Sequence, residues 1–393
     1  RLSKRKGNIW PMSSNIHQNY ELPVSIMRGG TSKGIYILEE NLPEDKKEWE
    51  NILLRLMGSP DKKQIDGLGG AQSVTSKVAI VKKSSKPDAD VDYTFAQVSV
   101  DKPLVSYKGN CGNISSGVGA FAIEKGLVKP EAEITSVRVF NTNTQKIIVE
   151  DVVTDENGVV YEGDFSIAGV PGTGAPVKLK FVDPAGTLGK GLLPTGNVVD
   201  VLELPGGRKV EVSIVDAANP LVFVRAEDVG LNGTERPEEI REDKLELLEI
   251  IRGLSAVKLG LIDDYKKSAW ETPGIPKMTY VAKSAAYVAM DGRKIKKDDI
   301  DLLSRMMSMQ KPHPSYAMTG AMCTAAAAVT PGSIVQQVLN KETDTQFIRI
   351  GHPGGVLECG VDYRLNDSVP VIEDTFGFRT ANMLLNGVAV IRR

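Results

Sequence analysis

The residues in this sequence best suited to chemistry are Gly109-Asn110-Cys111-Gly112-Asn113, which open a segment, Asn113 to Lys125, made mainly of Gly, Ala, Ser and apolar side chains. A helix starting there would present unpaired backbone N–H groups and the positive end of its dipole, a setting that suits a carboxylate. Such a field also favours a thiolate, the form of cysteine that accepts a proton. Glycines let the backbone approach a ligand closely, so Asn110, Gly112 and Asn113 are candidate substrate contacts beside Cys111. The other reading of Cys111 is a small buried hydrophobe, the common fate of a lone cysteine, and spacing does not choose between the two. A second segment of the same kind, Gly320 to Thr330, opens at Thr319-Gly320-Ala321-Met322 and would supply a second anion cradle. Tyr316-Ala317-Met318 precedes it and offers no proton carrier there, so the two helix mouths are not equivalent. Cys323 falls inside the second helix and reads as core.

A second acid or base must therefore come from elsewhere. Gln72-Ser73-Val74-Thr75-Ser76-Lys77 leads from a Gly-rich turn into a strand, Val78 to Val81. From its own neighbourhood Lys77 reads as an ordinary surface lysine; the alternative is a lysine taken out of water between lobes, where burial favours the neutral base. Arg28-Gly29-Gly30-Thr31-Ser32-Lys33-Gly34 has the composition of a phosphate loop but lacks the Gly-Lys-Ser/Thr order and a following helix. It reads instead as a turn offering N–H groups, the Ser32 hydroxyl and Arg28 to a carboxylate. Gly351-His352-Pro353-Gly354-Gly355 is a tight turn; Gly354 is a candidate contact, and His352 is read as structural. His17, His313 and His352 share no metal-ligand spacing and no dinucleotide fingerprint is complete, so neither a metal nor a cofactor is expected.

These residues have to be carried on a chain of 393 residues with 48 basic and 50 acidic side chains. A net charge of −2 leaves no basic footprint for nucleic acid and no polycationic stretch for anionic lipid. The chain has no apolar run of the roughly 18 residues that a membrane-spanning helix needs. Three widely spaced cysteines, Cys111, Cys323 and Cys359, argue against a disulfide framework and point to a reducing cytoplasm. Met12-Ser13-Ser14 resembles a chain start, and residues 1–11 are set aside from fold reasoning.

The length suggests two domains or lobes. Short β-branched and aromatic runs read as strands: Val91 to Val100, Lys209 to Val215, Leu221 to Arg225, Met278 to Ala282 and Phe347 to Ile350. Amphipathic helices are expected over Glu44 to Met57 (Trp49, Ile52, Leu53 and Leu56 on one stripe), Glu238 to Leu254, and Asp298 to Met309 (Ile300, Leu303, Met307). The two uncharged segments must be buried all round if they are helical. One such helix in each half implies two similar lobes, each a central helix wrapped by curved sheet.

Taken together, the stretches MRGGTSKG (27–34), GSPDKKQIDGLGGAQSVTSK (58–77), DVDYTFAQVSVDKP (90–103), GNCGNISSGVGAFAI (109–123), PTGNVVDVLELPG (194–206) and GHPGG (351–355) resemble the 2-methylaconitate cis-trans isomerases and methylitaconate Δ-isomerases. The resemblance implies an α/β (α+β) fold like diaminopimelate epimerase. Its lobes are expected over 15–190 and 191–370, with 371–393 returning to the first. The wider fold family sets a cysteine at each helix mouth; here Ala317 stands where the second would be, which argues against a two-base racemase or epimerase. In the isomerase branch a lysine of the TSK segment joins the cysteine, so Lys77 and Cys111 become the implied catalytic pair. The resemblance also makes Asn219, in Asp216-Ala217-Ala218-Asn219-Pro220, a substrate contact and His313 a weaker one; a third carboxylate would need a further cation or N–H cluster, for which Arg28, Lys33, Lys277 and His313 are the candidates. It implies a cofactor-independent isomerase that shifts a C=C bond by allylic proton transfer on a small unsaturated polycarboxylate. The leading substrate is methylitaconate, giving 2,3-dimethylmaleate, ahead of 2-methylaconitate and oxalomesaconate. A homo-oligomer is compatible with this reading.

Overall fold

The computed structural model describes residues 19–340, 343 and 346–392; His17 and Met12 to Ser14 lie outside them. Strands dominate because β-branched and aromatic runs recur at short intervals, and in the first lobe they close on themselves. Tyr20–Gly29 pairs antiparallel with Ser32–Leu38, which pairs parallel with Lys77–Lys83 and, through it, with Val91–Val98. Glu133–Asn141, Lys146–Asp155 and Pro176–Val182 follow in turn. Val369–Ile391 then pairs with both Pro176–Val182 and Tyr20–Gly29, closing a ring of eight strands among the described residues. Closure leaves no open edge.

The second lobe repeats the plan. From the hairpin Lys209–Ala217/Asn219–Arg225 onward its pairings run antiparallel, parallel, antiparallel, parallel, antiparallel, antiparallel. The first lobe has the same order starting at Tyr20–Gly29. The 23-residue strand Val369–Ile391 serves both sheets, pairing with Gly355–Asn366 at its start and with first-lobe strands over the rest.

Each sheet wraps a helix that has no charged face. Met318–Ala328 is buried at every residue. In the first lobe the expected single helix is two, Gly112–Ser115 and Val118–Glu124. The break has a local cause. The Tyr36 hydroxyl donates to the Ile114 carbonyl at 2.6 Å, and the Ser116 hydroxyl to the Asn113 carbonyl at 2.5 Å, diverting acceptors from the helical ladder. Gly117 at the break lies against Tyr36: a Cβ there would come within 2.5 Å of its hydroxyl oxygen. The two-lobed α/β architecture with central helices is thus the one expected.

Outside the lobes' centres, the helix expected over Glu44 to Met57 is a 3₁₀ turn, Lys46–Glu48, followed by Trp49–Met57, with Trp49, Leu53 and Leu56 buried and Gly58 left-handed at its end. Glu242–Lys258 occupies most of the next expected helix. Asp298 to Met309 is a correction: it is a short turn, Lys297–Asp299, and then a strand, Leu302–Ser308. Every residue of that strand is buried, since it lies between Lys277–Lys283 and Phe347–His352 with both faces covered. A strand buried on both faces loses the alternation that identifies strands, and its apolar residues then mimic a helical stripe. Arg305 is tolerated inside it because it donates to the carbonyls of Glu235, Ser304 and Gly351 and lies 5.1 Å over the Tyr287 ring. No helix among the described residues is long and apolar enough to cross a membrane.

Candidate active site

The two buried helices meet start to start. A Cβ added to Gly112 would lie 2.8 Å from Met318 Cβ and 3.1 Å from the Thr319 backbone nitrogen, so only glycine permits this approach. The unpaired N–H groups of both helix starts therefore converge on one place, the arrangement expected to hold an anion. Gly109, at φ +84°, turns the chain just ahead of Cys111, and its missing Cβ leaves room for Asn219 Oδ1 at 2.9 Å. Around this junction several buried polar atoms have no partner among the described residues: Asn110 Nδ2, Asn113 Nδ2, both side-chain polar atoms of Asn219, and Thr319 Oγ1. An unsatisfied buried polar group costs about 1–3 kcal/mol. A cluster of them at one point marks where a polar ligand would take their hydrogen bonds.

Cys111 caps the first helix with extended backbone, and its thiol makes no hydrogen bond among the described residues. Its backbone N–H is held instead by Asn110 Oδ1 at 2.7 Å. Cys111 shares a cavity of about 20 Å³ with Lys77, Asn113, Lys277, His313 and Ala317. That volume admits roughly one water.

Lys77 corrects the surface reading: it is 5% exposed. Its Nζ donates to Gln97 Oε1 at 2.6 Å and lies 5.2 Å from the Phe95 ring centre. Gln97 is itself fixed, its amide nitrogen donating to the carbonyls of Ser73 and Ser76, both at 3.0 Å. Its oxygen is thereby aimed at Lys77. Gln97 could not be picked out from the sequence, because its contact with Lys77 depends on the pairing of the two residues across two strands. Lys277 is half-buried and has no hydrogen-bond or ion-pair partner among the described residues. Burial, and then the charge of Lys77, lower its pKa to about 8. His313 is lowered to about 3, first by burial and then by Lys77 and Lys277, so it is neutral at working pH. Its Nδ1 accepts the Ser315 N–H at 3.0 Å, which leaves the ring proton on Nε2.

Three lysines, Lys77, Lys108 and Lys277, line this cavity with no acidic partner among the described residues, and with the two helix starts they give it a positive character. The other residues expected at the site fall elsewhere. Arg28 donates to the carbonyls of Gly30 (3.0 Å) and Thr380 (2.9 Å), stapling the first turn to Val369–Ile391 rather than lining the cavity. Ser32 is buried with its hydroxyl unpartnered, outside the cavity lining. Gln72 lines a separate groove of about 830 Å³ together with Met309 and Gln310. Gly320 packs on Met306, and Gly354 lies against His352 and Ser315, its N–H donating to His352 Nδ1 at 3.1 Å. Cys323 and Cys359 are fully buried, and burial raises both thiols, Cys359 to about 12.

Comparison with known proteins bears on this geometry. The chain is 48% identical to a putative isomerase of Bacillus subtilis, covering 86% of this chain and 91% of that one. It is 45% identical to the 3-methylitaconate isomerase of Eubacterium barkeri (95% and 97% covered) and 38% identical to the 2-methyl-aconitate isomerase of Cupriavidus necator (93% and 96%). A crystal structure of methylitaconate-delta-isomerase superposes with a TM-score of 0.76 at 45% identity, covering 95% of this chain and 96% of that one. A hydroxyproline epimerase from Agrobacterium vitis, at 11% identity, shares the fold with a TM-score of 0.59 over 96% of this chain and 95% of its own. The family described as PrpF protein matches residues 19–392, and with its helix-mouth cysteine, buried lysine and paired lobes the chain belongs to this family of isomerases.

Proposed function

We propose that this protein moves a C=C bond on a small unsaturated polycarboxylate by allylic proton transfer, with Cys111 and Lys77 as the proton carriers. The observation that carries the reading is one buried cavity that holds both carriers, lies at two abutting helix starts and contains no carboxylate side chain. In the proposed reaction a base removes a proton from carbon next to a carboxylate. The electron pair moves toward the neighbouring double bond, and a proton returns to the far carbon of the original alkene. For methylitaconate the proton leaves the carbon bearing the methyl group, the double bond becomes internal, and the methylene becomes a second methyl, giving 2,3-dimethylmaleate. The dienolate charge falls on a carboxylate facing the helix starts, where oriented N–H donors stabilise it without reorganising. Methylitaconate is favoured by the 45% identity to a 3-methylitaconate isomerase. The 2-methylaconitate reading, favoured by the 38% identical relative, needs donors for a third carboxylate.

Incubation of a panel of itaconates, aconitates and oxalomesaconate in D₂O, followed by NMR, tests the reaction. The expected product carries deuterium at the former methylene carbon, with no hydration or oxidation product. Isomerised product without deuterium at either allylic carbon, and no primary isotope effect from substrate deuterated there, would instead indicate reversible thiol addition by Cys111.

Lys277 supplies a pH test. With a pKa lowered to about 8 it is a cation below that pH and neutral above it. As the holder of a carboxylate it makes kcat/KM fall as pH rises through about 8, because kcat/KM reports ionisations of the free enzyme. Lys277→Met should lower kcat/KM at pH 7 and remove that limb, whereas Lys277→Arg should keep activity and carry the limb out of range. A rise in wild-type kcat/KM through pH 8 that Lys277→Met abolishes would make Lys277 a base and not a binding cation.

A further inference from the structure

Arg379 is 4% exposed, on the inner face of the strand shared by both lobes, and no acidic side chain pairs with it among the described residues. Among the described residues its one hydrogen bond is a long 3.5 Å contact from Nη1 to the neighbouring Phe378 carbonyl, and its Nε–H has no partner. Leaving a buried charge uncompensated is strongly destabilising, so such groups are ordinarily paired. Two donors within reach of its charge or its side chain, on Asn113 and His352, are likewise without an acceptor among the described residues. Asn113 meets Arg379 across Gly30: a Cβ at Gly30 would lie 2.1 Å from Asn113 Oδ1 and 2.9 Å from Arg379 Cδ. Asn113 Oδ1 is engaged by the Thr31 N–H, which leaves the Nδ2 donor without a partner. His352 accepts the Gly354 N–H at Nδ1, so its proton is on Nε2, and that donor is buried without a partner too. The Arg379 charge is felt at His352 and at His313, and both His313 and Asn113 line the cavity that holds Cys111 and Lys77.

We infer that Arg379, with Asn113 Nδ2 and His352 Nε2, forms a carboxylate subsite behind the Cys111–Lys77 cavity, taking a carboxylate of the substrate other than the one at the helix starts. A carboxylate is acceptor-only and can use several donors at once, including the two-pronged guanidinium. It would neutralise the buried charge and satisfy the orphaned amide and imidazole donors together. The subsite sets substrate class: it selects acids with two or more carboxylates over monoacids of the same shape, because a neutral group there leaves the guanidinium unpaired. The inference rests on the polycarboxylate reading above, and it is built so that the two can fail separately.

The test compares wild type with Arg379→Gln, using 2-methylsuccinate as an unreactive diacid and isobutyrate as a monoacid, with binding read by ligand-induced shift in melting temperature. Loss of a charge-assisted pair is expected to weaken 2-methylsuccinate by about 10- to 100-fold and to leave isobutyrate unchanged. With the substrate that is turned over, KM should rise by a similar factor while kcat changes far less, the pattern of binding lost equally from ground and transition states. A purely structural arginine would lower the melting temperature of the free protein and affect both acids alike. Undiminished diacid binding by Arg379→Gln overturns the subsite. Should that variant not fold, Arg379→Lys keeps the charge but loses the Nε donor and the fork. A several-fold selective loss for the diacid then supports the subsite, and an unchanged diacid-to-monoacid ratio overturns it. If wild type turns over none of the unsaturated acids yet binds 2-methylsuccinate in an Arg379-dependent way, the isomerase reading falls and the subsite stands.

Discussion

Cys111→Ala is expected to fold like wild type and to lose turnover by about 10³-fold or more, with KM changed only slightly. The fold should tolerate it because the thiol is not used structurally. The sulfur makes no hydrogen bond, the helix start is held through Asn110 Oδ1 instead, and alanine keeps the Cβ. Catalysis should not tolerate it, because the position equivalent to Cys111 ahead of the second helix is Ala317, which carries no proton. Cys111→Ser should not restore the rate, since a hydroxyl is a far weaker acid than a thiol and cannot share the proton at neutral pH. Steady-state kinetics on the turned-over acid, beside thermal melts, provide the measurement. Turnover of Cys111→Ala within a few-fold of wild type would remove Cys111 from the mechanism. Cys323→Ser and Cys359→Ser serve as controls and should retain most activity, because both thiols are enclosed in packing.

Lys77→Met should be as damaging, again by about 10³-fold in kcat, for a reason the cavity makes plain. Methionine keeps the length and apolar stem of lysine but cannot carry a proton, and it leaves Gln97 Oε1 without its donor. Lys77→Arg should not rescue turnover either, since a guanidinium stays protonated. The two carriers can then be assigned by exchange in D₂O. The variant that retains the abstracting group should still wash deuterium into recovered substrate without forming product; the variant that lacks it should not. Near-normal turnover by Lys77→Met would sink the assignment. Exchange abolished in both variants would mean that abstraction needs the two groups together, a single coupled unit rather than two independent carriers.

The two buried helices and their starts were legible locally, and the reason is energetic. A segment such as Gly320 to Thr330, with no charged face, can be a helix only if sheet surrounds it. Gly109 and Gly112, flanking Cys111, announce a backbone that must pass close to something. Two such segments, one in each half, imply two lobes built alike, and the repeated order of strand pairings bears this out. Several strand runs were equally plain, but Glu133–Asn141, Lys146–Asp155, Pro176–Val182 and Val369–Ile391 were not singled out, and at Leu302–Ser308 burial on both faces erased the alternation.

Only the tertiary structure decided which charges face the cavity. Arg28, in a loop of promising composition, donates to carbonyls at Gly30 and Thr380, the latter 352 positions away, while Arg379, in an unremarked strand, keeps an unsatisfied Nε–H and no acidic partner among the described residues. Lys77 has the sequence surroundings of a surface lysine and is buried because Ser32–Leu38 and Val91–Val98 pair on either side of it. Local sequence sets the periodicity of an element and the uncharged face it must bury. Whether a charged side chain ends in water, on a carbonyl or beside a substrate depends on which distant strand closes over it. In this protein that strand is Val369–Ile391, which returns to Tyr20–Gly29 and seals the lobe.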